Sequence, residues 1–197
     1  MADQKKASHY FSRYYEDYVT VEDTDQKGKP YRRKVYIGFY YEPKLEKKER
    51  RLHKAANIAL LAAGVFLMIW SMTQRVPSNY YWFTTLPQAI GIFAVLYLAY
   101  LICLYTVRED ILTIWGYRQT SLKLKKTAAF AAVLWAIGGA EAIICGLFYI
   151  NEGYFISETI CGIRLLLGAL AMYAVYILER DVAYSKTQSD YIDEIRT

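Results

Sequence analysis

Two charged residues sit deep inside long apolar stretches, and they are the clearest chemical signal in the chain. Glu141 lies within TAAFAAVLWAIGGAEAIICGLFYI and Arg164 within ISETICGIRLLLGALAMYAVYIL. Counted from the short connection between these stretches, each is roughly nine residues in, or about 13 Å at helical rise. An ionisable group at that depth in hydrocarbon costs several kcal/mol if alone, so such groups pair, bury themselves between helices, or serve a function. A carboxylate held there can take up and release a proton, and a guanidinium, which stays charged, can gate it. We read Glu141 and Arg164 as an intramembrane pair in contact.

Their helical neighbours are small. Gly138 and Cys145 share the face of Glu141 at i−3 and i+4, and Ser157, Cys161 and Gly168 share that of Arg164. Small residues at such spacing let two backbones approach closely. Gly138, Ala142 and Gly146 extend the row, and Cys145 and Cys161 fall at similar depth on the two faces. Two roles fit. Either these are close-packing residues with the charges as internal glue, or the charges form a proton or ion site. The first is favoured, because a pathway needs more polar groups than the spans provide. Asn57, Thr85 and Gln88 lie near span ends, and the tyrosines at 97, 100, 105 and 173 either line a cavity or pack.

Other chemistry is sparse. The three cysteines, Cys103, Cys145 and Cys161, all fall in apolar stretches, which excludes a secreted disulfide framework, and no spacing suggests zinc. There is no GxSxG, HExxH, P-loop or dinucleotide fingerprint. His9 and His53 are isolated in sequence, with His53 expected on a helix surface. The expectation is therefore no catalytic residue, no metal and no cofactor.

The elements that must hold Glu141 and Arg164 are long. Four stretches, 55–73, 86–107, 127–150 and 157–178, carry only three charges among them, Glu141, Glu158 and Arg164, and suffice to cross about 30 Å of hydrocarbon. Core helices of soluble proteins rarely run so long without a polar face. The linkers QRVPSNYYWF and NEGYF are short, so each pair is expected to form a tight hairpin. A basic run, a span, an aromatic loop and a returning span occur twice, offset by about 72 residues, which two hairpins produce without duplication.

Lys and Arg decide orientation. They crowd KLEKKERRLHK before the first span, the middle loop (Arg108, Arg118, Lys123, Lys125, Lys126) and the tail (Arg180, Lys186, Arg196). Only Arg75 falls on the other side, beside the acidic Glu152 and Glu158. Both termini are expected to be cytoplasmic, in a plasma (inner) membrane, with no cleavable signal peptide before the first span. Tyr80, Tyr81, Trp82, Phe83, Tyr149, Tyr154 and Phe155 form the interfacial aromatic belt.

The first 42 residues read as strand, turn, strand: YVTVE, DTDQKGKP, YRRKVYIGFYY. Val35, Ile37, Phe39 and Tyr41 alternate with more polar neighbours at strand period. Arg32, Arg33, Lys34, Tyr36, Phe39 and Tyr40 make a candidate contact surface. A helix is expected from Pro43 onward, continuous with the first span. Juxtamembrane basic clusters contact lipid headgroups far more often than nucleic acid, and no nucleic-acid-binding fold is visible.

The sequence thus predicts an all-α membrane protein, a four-span transmembrane helix bundle of two hairpins, with a small N-terminal β-hairpin. Its segments are a Tyr-rich region (1–42), a basic helix with the first hairpin (43–107), a basic loop (108–126), the second hairpin (127–178) and a polar tail (179–197). The expected function is a non-enzymatic interaction or scaffold subunit of a membrane assembly. The alternative is a small oligomeric transporter or channel using Glu141 and Arg164. The expected partners are the lipid bilayer and either another protein or further copies of this chain.

Overall fold

A computed structural model describes residues 17–24, 29–108 and 111–188. They form two compact units, one of strands and one of long helices.

The helical unit contains α1 (Lys47–Met72), α2 (Trp82–Val107), α3 (Lys123–Phe148) and α4 (Phe155–Asp181). All four are long and apolar enough to cross a membrane. α1 starts later than Pro43 suggests. Pro43 ends a strand, and the helix opens where the Glu46 amide donates to Glu49 Oε2 at 3.0 Å, satisfying one of the free N–H groups of a helix start. At its other boundary α2 ends with a cation beside its free carbonyls: Lys54 Nζ lies 3.4 Å from the Thr106 oxygen and 3.5 Å from that of Arg108. Gly153, with φ +79°, supplies the left-handed residue in the tight turn between α3 and α4.

The helices do not assemble as two separate hairpins. α1 and α2 barely touch, although only a 3₁₀ turn at Pro77–Tyr80 and a few residues separate them. Instead α3 and α4 pack most extensively on each other, α1 lies against α4, and α2 lies against α3. Each packed pair is antiparallel, as the matched levels show: Gly139 with Gly162, Gly64 with Gly168, and Gly91 with Trp135. The reason is side-chain size. The glycines of α1 and α2 each oppose a residue of the second hairpin, so close approach is available there and not within the first hairpin.

Between the helices, Leu98, Leu101, Trp135, Leu165 and Met172 are at most 1% exposed. Large apolar side chains such as Phe66, Phe93, Leu147 and Leu170 point outward, while Asn57, Ser71, Gln88, Glu158 and Glu179 are buried. Large exposed apolar side chains over buried polar ones suit a bundle that meets hydrocarbon.

The strand unit holds two small sheets. β1 (Tyr18–Thr24) and β2 (Pro30–Tyr36) pair antiparallel with Glu22 opposite Arg32, as a hairpin reading requires. Residues 25–28, where the turn containing Gly28 is expected, lie outside the described residues. The second run is not one strand. It breaks at Ile37–Gly38, and β3 (Phe39–Pro43) joins a different sheet between β4 (Leu112–Thr113) and β5 (Tyr184–Gln188). The tail, which reads only as polar, thus contributes a strand. β5 pairs with β3 antiparallel along its whole length. A two-stranded ribbon is marginal in water, and recruiting β4 and β5 from remote sequence gives β3 neighbours on both sides.

Candidate functional site

Glu141 and Arg164 do not form an ion pair. Arg164 lies with its guanidinium carbon 4.0 Å from the centre of the Trp70 ring of α1, and its Nη1 has no hydrogen-bond partner. Glu141 Oε2 is likewise buried without one. The cause is the rotation of the helices. Gly138, one turn before Glu141, faces Gln88 of α2, whereas Gly139 and Gly146 face α4. Glu141 is therefore on the α2 flank of α3, and Arg164 is on the α1 flank of α4. Equal depth in sequence is not contact.

The small residues do permit close approach, but between other partners than the sequence suggests. A Cβ on Gly138 would meet Gln88 Cγ at 3.2 Å, and one on Gly168 would meet Met68 Cγ at 3.3 Å. Cys161 turns to α1, where Ser71 Oγ donates to the Cys161 carbonyl at 2.8 Å and lies 2.9 Å from its sulfur. Cys145 is buried on α3, and both thiols are free.

Two further carboxylates, which the sequence places at the two ends of the fourth stretch, are the best-organised polar groups of the bundle. Glu158 reads as an acid at the outer end of the fourth stretch, yet it is fully buried. Its Oε1 accepts the Ser78 amide at 2.7 Å, and its Oε2 accepts the Ser78 hydroxyl at 2.6 Å. Thr84 Oγ1 in turn donates to the Ser78 carbonyl. These bonds tie the turn between α1 and α2 to the first turn of α4, where a negative charge also suits the helix N-terminus.

Glu179 marks the other end of α4. It is also fully buried, with Asn57 Nδ2 donating to Oε1 at 2.9 Å and Ser121 Oγ to Oε2 at 3.5 Å. His53 Nδ1 is 3.6 Å from Oε1, while its Nε2 lies 3.3 Å from the Leu178 carbonyl. His53 is thus turned inward from α1, not outward as expected. Ser121 reaches the carboxylate because the backbone winds more widely over Arg118–Leu122, which brings the adjacent Thr120 and Ser121 both inside. Twenty-one positions apart, Glu158 and Glu179 stand about 32 Å from each other along α4, close to one hydrocarbon thickness. Ser–Glu and Asn–Glu contacts 80 and 122 residues apart have no sequence spacing from which to be read. A cue did exist: Asn57, Ser71 and Ser78 interrupt or border an otherwise apolar span.

The Ser78 contact carries a prediction. Ser78→Ala removes one charge-assisted hydrogen bond but keeps the amide donor, so it should cost about 2 kcal/mol. Thermal unfolding in detergent measures this. An unchanged midpoint would mean that Glu158 is hydrated and not buried against this turn.

The candidate surface of the strand unit is only partly a surface. Arg32, Arg33 and Lys34 are exposed. Phe39 is exposed too, with Lys186 Nζ 3.6 Å from its ring centre. Tyr36, by contrast, is buried at 8% exposure, and its hydroxyl donates to the Phe39 carbonyl while accepting the Ile114 amide at 3.1 Å. It joins the two sheets, and Tyr40 packs edge-on against it. Burial raises the Tyr36 phenol above its ordinary 10.0, with the Ile114 amide opposing. The fold therefore favours the neutral phenol, a contribution present below pH 10 and lost as pH climbs further.

Among the described residues no group of three or more His, Cys, Asp or Glu side chains could hold a metal ion. No protein-family model matches this chain, and no curated protein or solved structure is significantly similar to it.

Proposed function

We propose that this protein is a non-enzymatic interaction or scaffold subunit of a membrane assembly, with both termini on the cytoplasmic side. The observation that carries this reading is how the buried polar groups are used. Glu158, Glu179, Asn57, Ser71 and Ser78 bond helix to helix or helix to turn, across an apolar core of Leu98, Leu101, Leu165 and Met172. Such groups fasten a bundle. The exposed Arg32, Arg33 and Lys34 on β2 supply a basic surface for a partner.

Affinity purification in mild detergent should recover a defined protein partner, and replacing all three basic residues with serine should lose it. Capture unaffected by those replacements would move the contact elsewhere. A reporter fused after Thr197 should behave as cytoplasmic and one between Pro77 and Tyr80 as external, following the Lys/Arg asymmetry.

A transport pathway is the second reading, favoured by one observation. Gln88 Nε2, Trp135 Nε1 and Glu141 Oε2 are all buried without partners on α2 and α3. The two readings differ at the cysteines. A packed scaffold protects Cys145 and Cys161 from small polar thiol reagents, whereas an aqueous route along α3 modifies Cys145 in native membranes.

A further inference from the structure

Glu141 and Arg164 pose an unsolved energetic problem within one chain. The Arg164 guanidinium stacks on Trp70, which leaves Nη1 without an acceptor. Glu141 has no donor for Oε2. Both residues nevertheless keep a partly exposed portion at the bundle surface, on different flanks. Groups of opposite charge in hydrocarbon, each incomplete and unable to reach the other, are completed most economically by a neighbour in the membrane.

Their levels say which neighbour. Gly139 and Gly162 touch, since a Cβ on either would lie within 3.0 Å of the other's carbonyl oxygen. Glu141 is two residues beyond Gly139 and Arg164 two beyond Gly162 along antiparallel helices. The two backbones therefore differ in level by about 6 Å, which an arginine and a glutamate side chain together span. Copies of one chain inserted the same way are related by rotation about the membrane normal, and rotation preserves depth. A second copy thus presents its arginine within about 6 Å of the level of this one's glutamate, inside the reach of the two side chains. A different protein would have to match both sign and depth independently.

We propose that this chain self-associates within the membrane through contacts between Glu141 of one copy and Arg164 of the next. Any such rotation uses both charges: a two-fold dimer makes two identical contacts, and a closed ring makes one at each junction. This contact is separate from the basic strand surface proposed above, and either can fail while the other stands.

The test uses two differently tagged copies of the full chain, co-expressed and captured in mild detergent through one tag. Wild-type copies should co-purify. Glu141→Arg copies should not co-purify with one another, nor should Arg164→Glu copies, because each homotypic contact sets like charges together. A Glu141→Arg copy with an Arg164→Glu copy should recover association at least tenfold over either homotypic pair, since one junction exchanges its charges and the next keeps the native pair. Cysteine pairing guards against misfolded variants. In chains whose three native cysteines are replaced by alanine, a Glu141→Cys copy should form an oxidant-induced disulfide with an Arg164→Cys copy in native membranes. The proposal is overturned if wild-type copies do not co-purify, or if the exchanged pair associates no better than the homotypic ones. A disulfide found only within single chains carrying both cysteines overturns it as well.

Discussion

Gly162→Val should abolish the accumulation of folded protein. A Cβ at this position would stand 2.5 Å from Ile143 Cγ1 and 2.6 Å from the Gly139 carbonyl oxygen. The isoleucine can change rotamer, but the carbonyl belongs to the backbone of α3 and moves only if the helix moves. Valine adds two methyl groups beyond that Cβ and must push α3 and α4 apart along their most extensive interface. Extra methylenes in a packed core cost about 1–3 kcal/mol where neighbours can yield, and more where they cannot. Gly153→Ala is the control. Nothing lies within 4 Å of a Cβ there, so only its positive φ is penalised, by about 1 kcal/mol. Size-exclusion profiles of detergent-solubilised protein report both. A Gly162→Val protein with wild-type yield and profile would mean that α3 and α4 do not meet at these glycines, and the shared depth reference for Glu141 and Arg164 would go with them.

Glu179→Leu should destabilise the bundle by about 4 kcal/mol, more than Ser78→Ala. Leucine fills most of the volume but strands the Asn57 amide and the Ser121 hydroxyl, both fully buried. Each unsatisfied buried donor costs about 1–3 kcal/mol, and His53 loses the carboxylate that faces its Nδ1. Glu179→Gln should be milder, because its amide oxygen still accepts from Asn57 and its amide nitrogen can donate to Ser121. Adding Asn57→Leu to Glu179→Leu should restore part of the loss, since removing both partners of a buried polar contact costs less than removing one. Thermal midpoints in detergent for the two single variants and the double variant measure the coupling. Additive losses would show that Asn57 and Glu179 do not interact, and α1 would lose its polar anchor on α4.

The sequence by itself determined the helices and the surroundings they need. Four runs of nearly uninterrupted apolar residues leave no polar face, so each helix must be covered by lipid or by another helix, whatever its neighbours are. The β1–β2 hairpin was legible for a similar reason: alternation at period two is a local property, and so is a turn-rich segment between the strands. Charge at depth was equally plain for Glu141 and Arg164, because position along a helix gives depth directly.

Only the tertiary structure decided what those residues meet. Contact depends on the rotation of each helix about its axis, and here the glycines settle it by admitting α4 at Gly139 and α2 at Gly138, one residue apart on α3. That single-residue difference, 100° of helical turn, carries Glu141 away from Arg164. The same dependence hid Glu158 and Glu179. Both stand at span ends, where a carboxylate is normally solvated. They are buried because Ser78, Asn57 and Ser121 arrive from other segments to bond them. β3 tells the same story in the strand unit. Its break at Gly38 follows from β4 and β5, which enter from residues 112–113 and 184–188 and draw it out of the first hairpin. Local pattern sets what an element is, and long-range packing, which minimises voids and unpaired polar groups together, sets which of its faces is used.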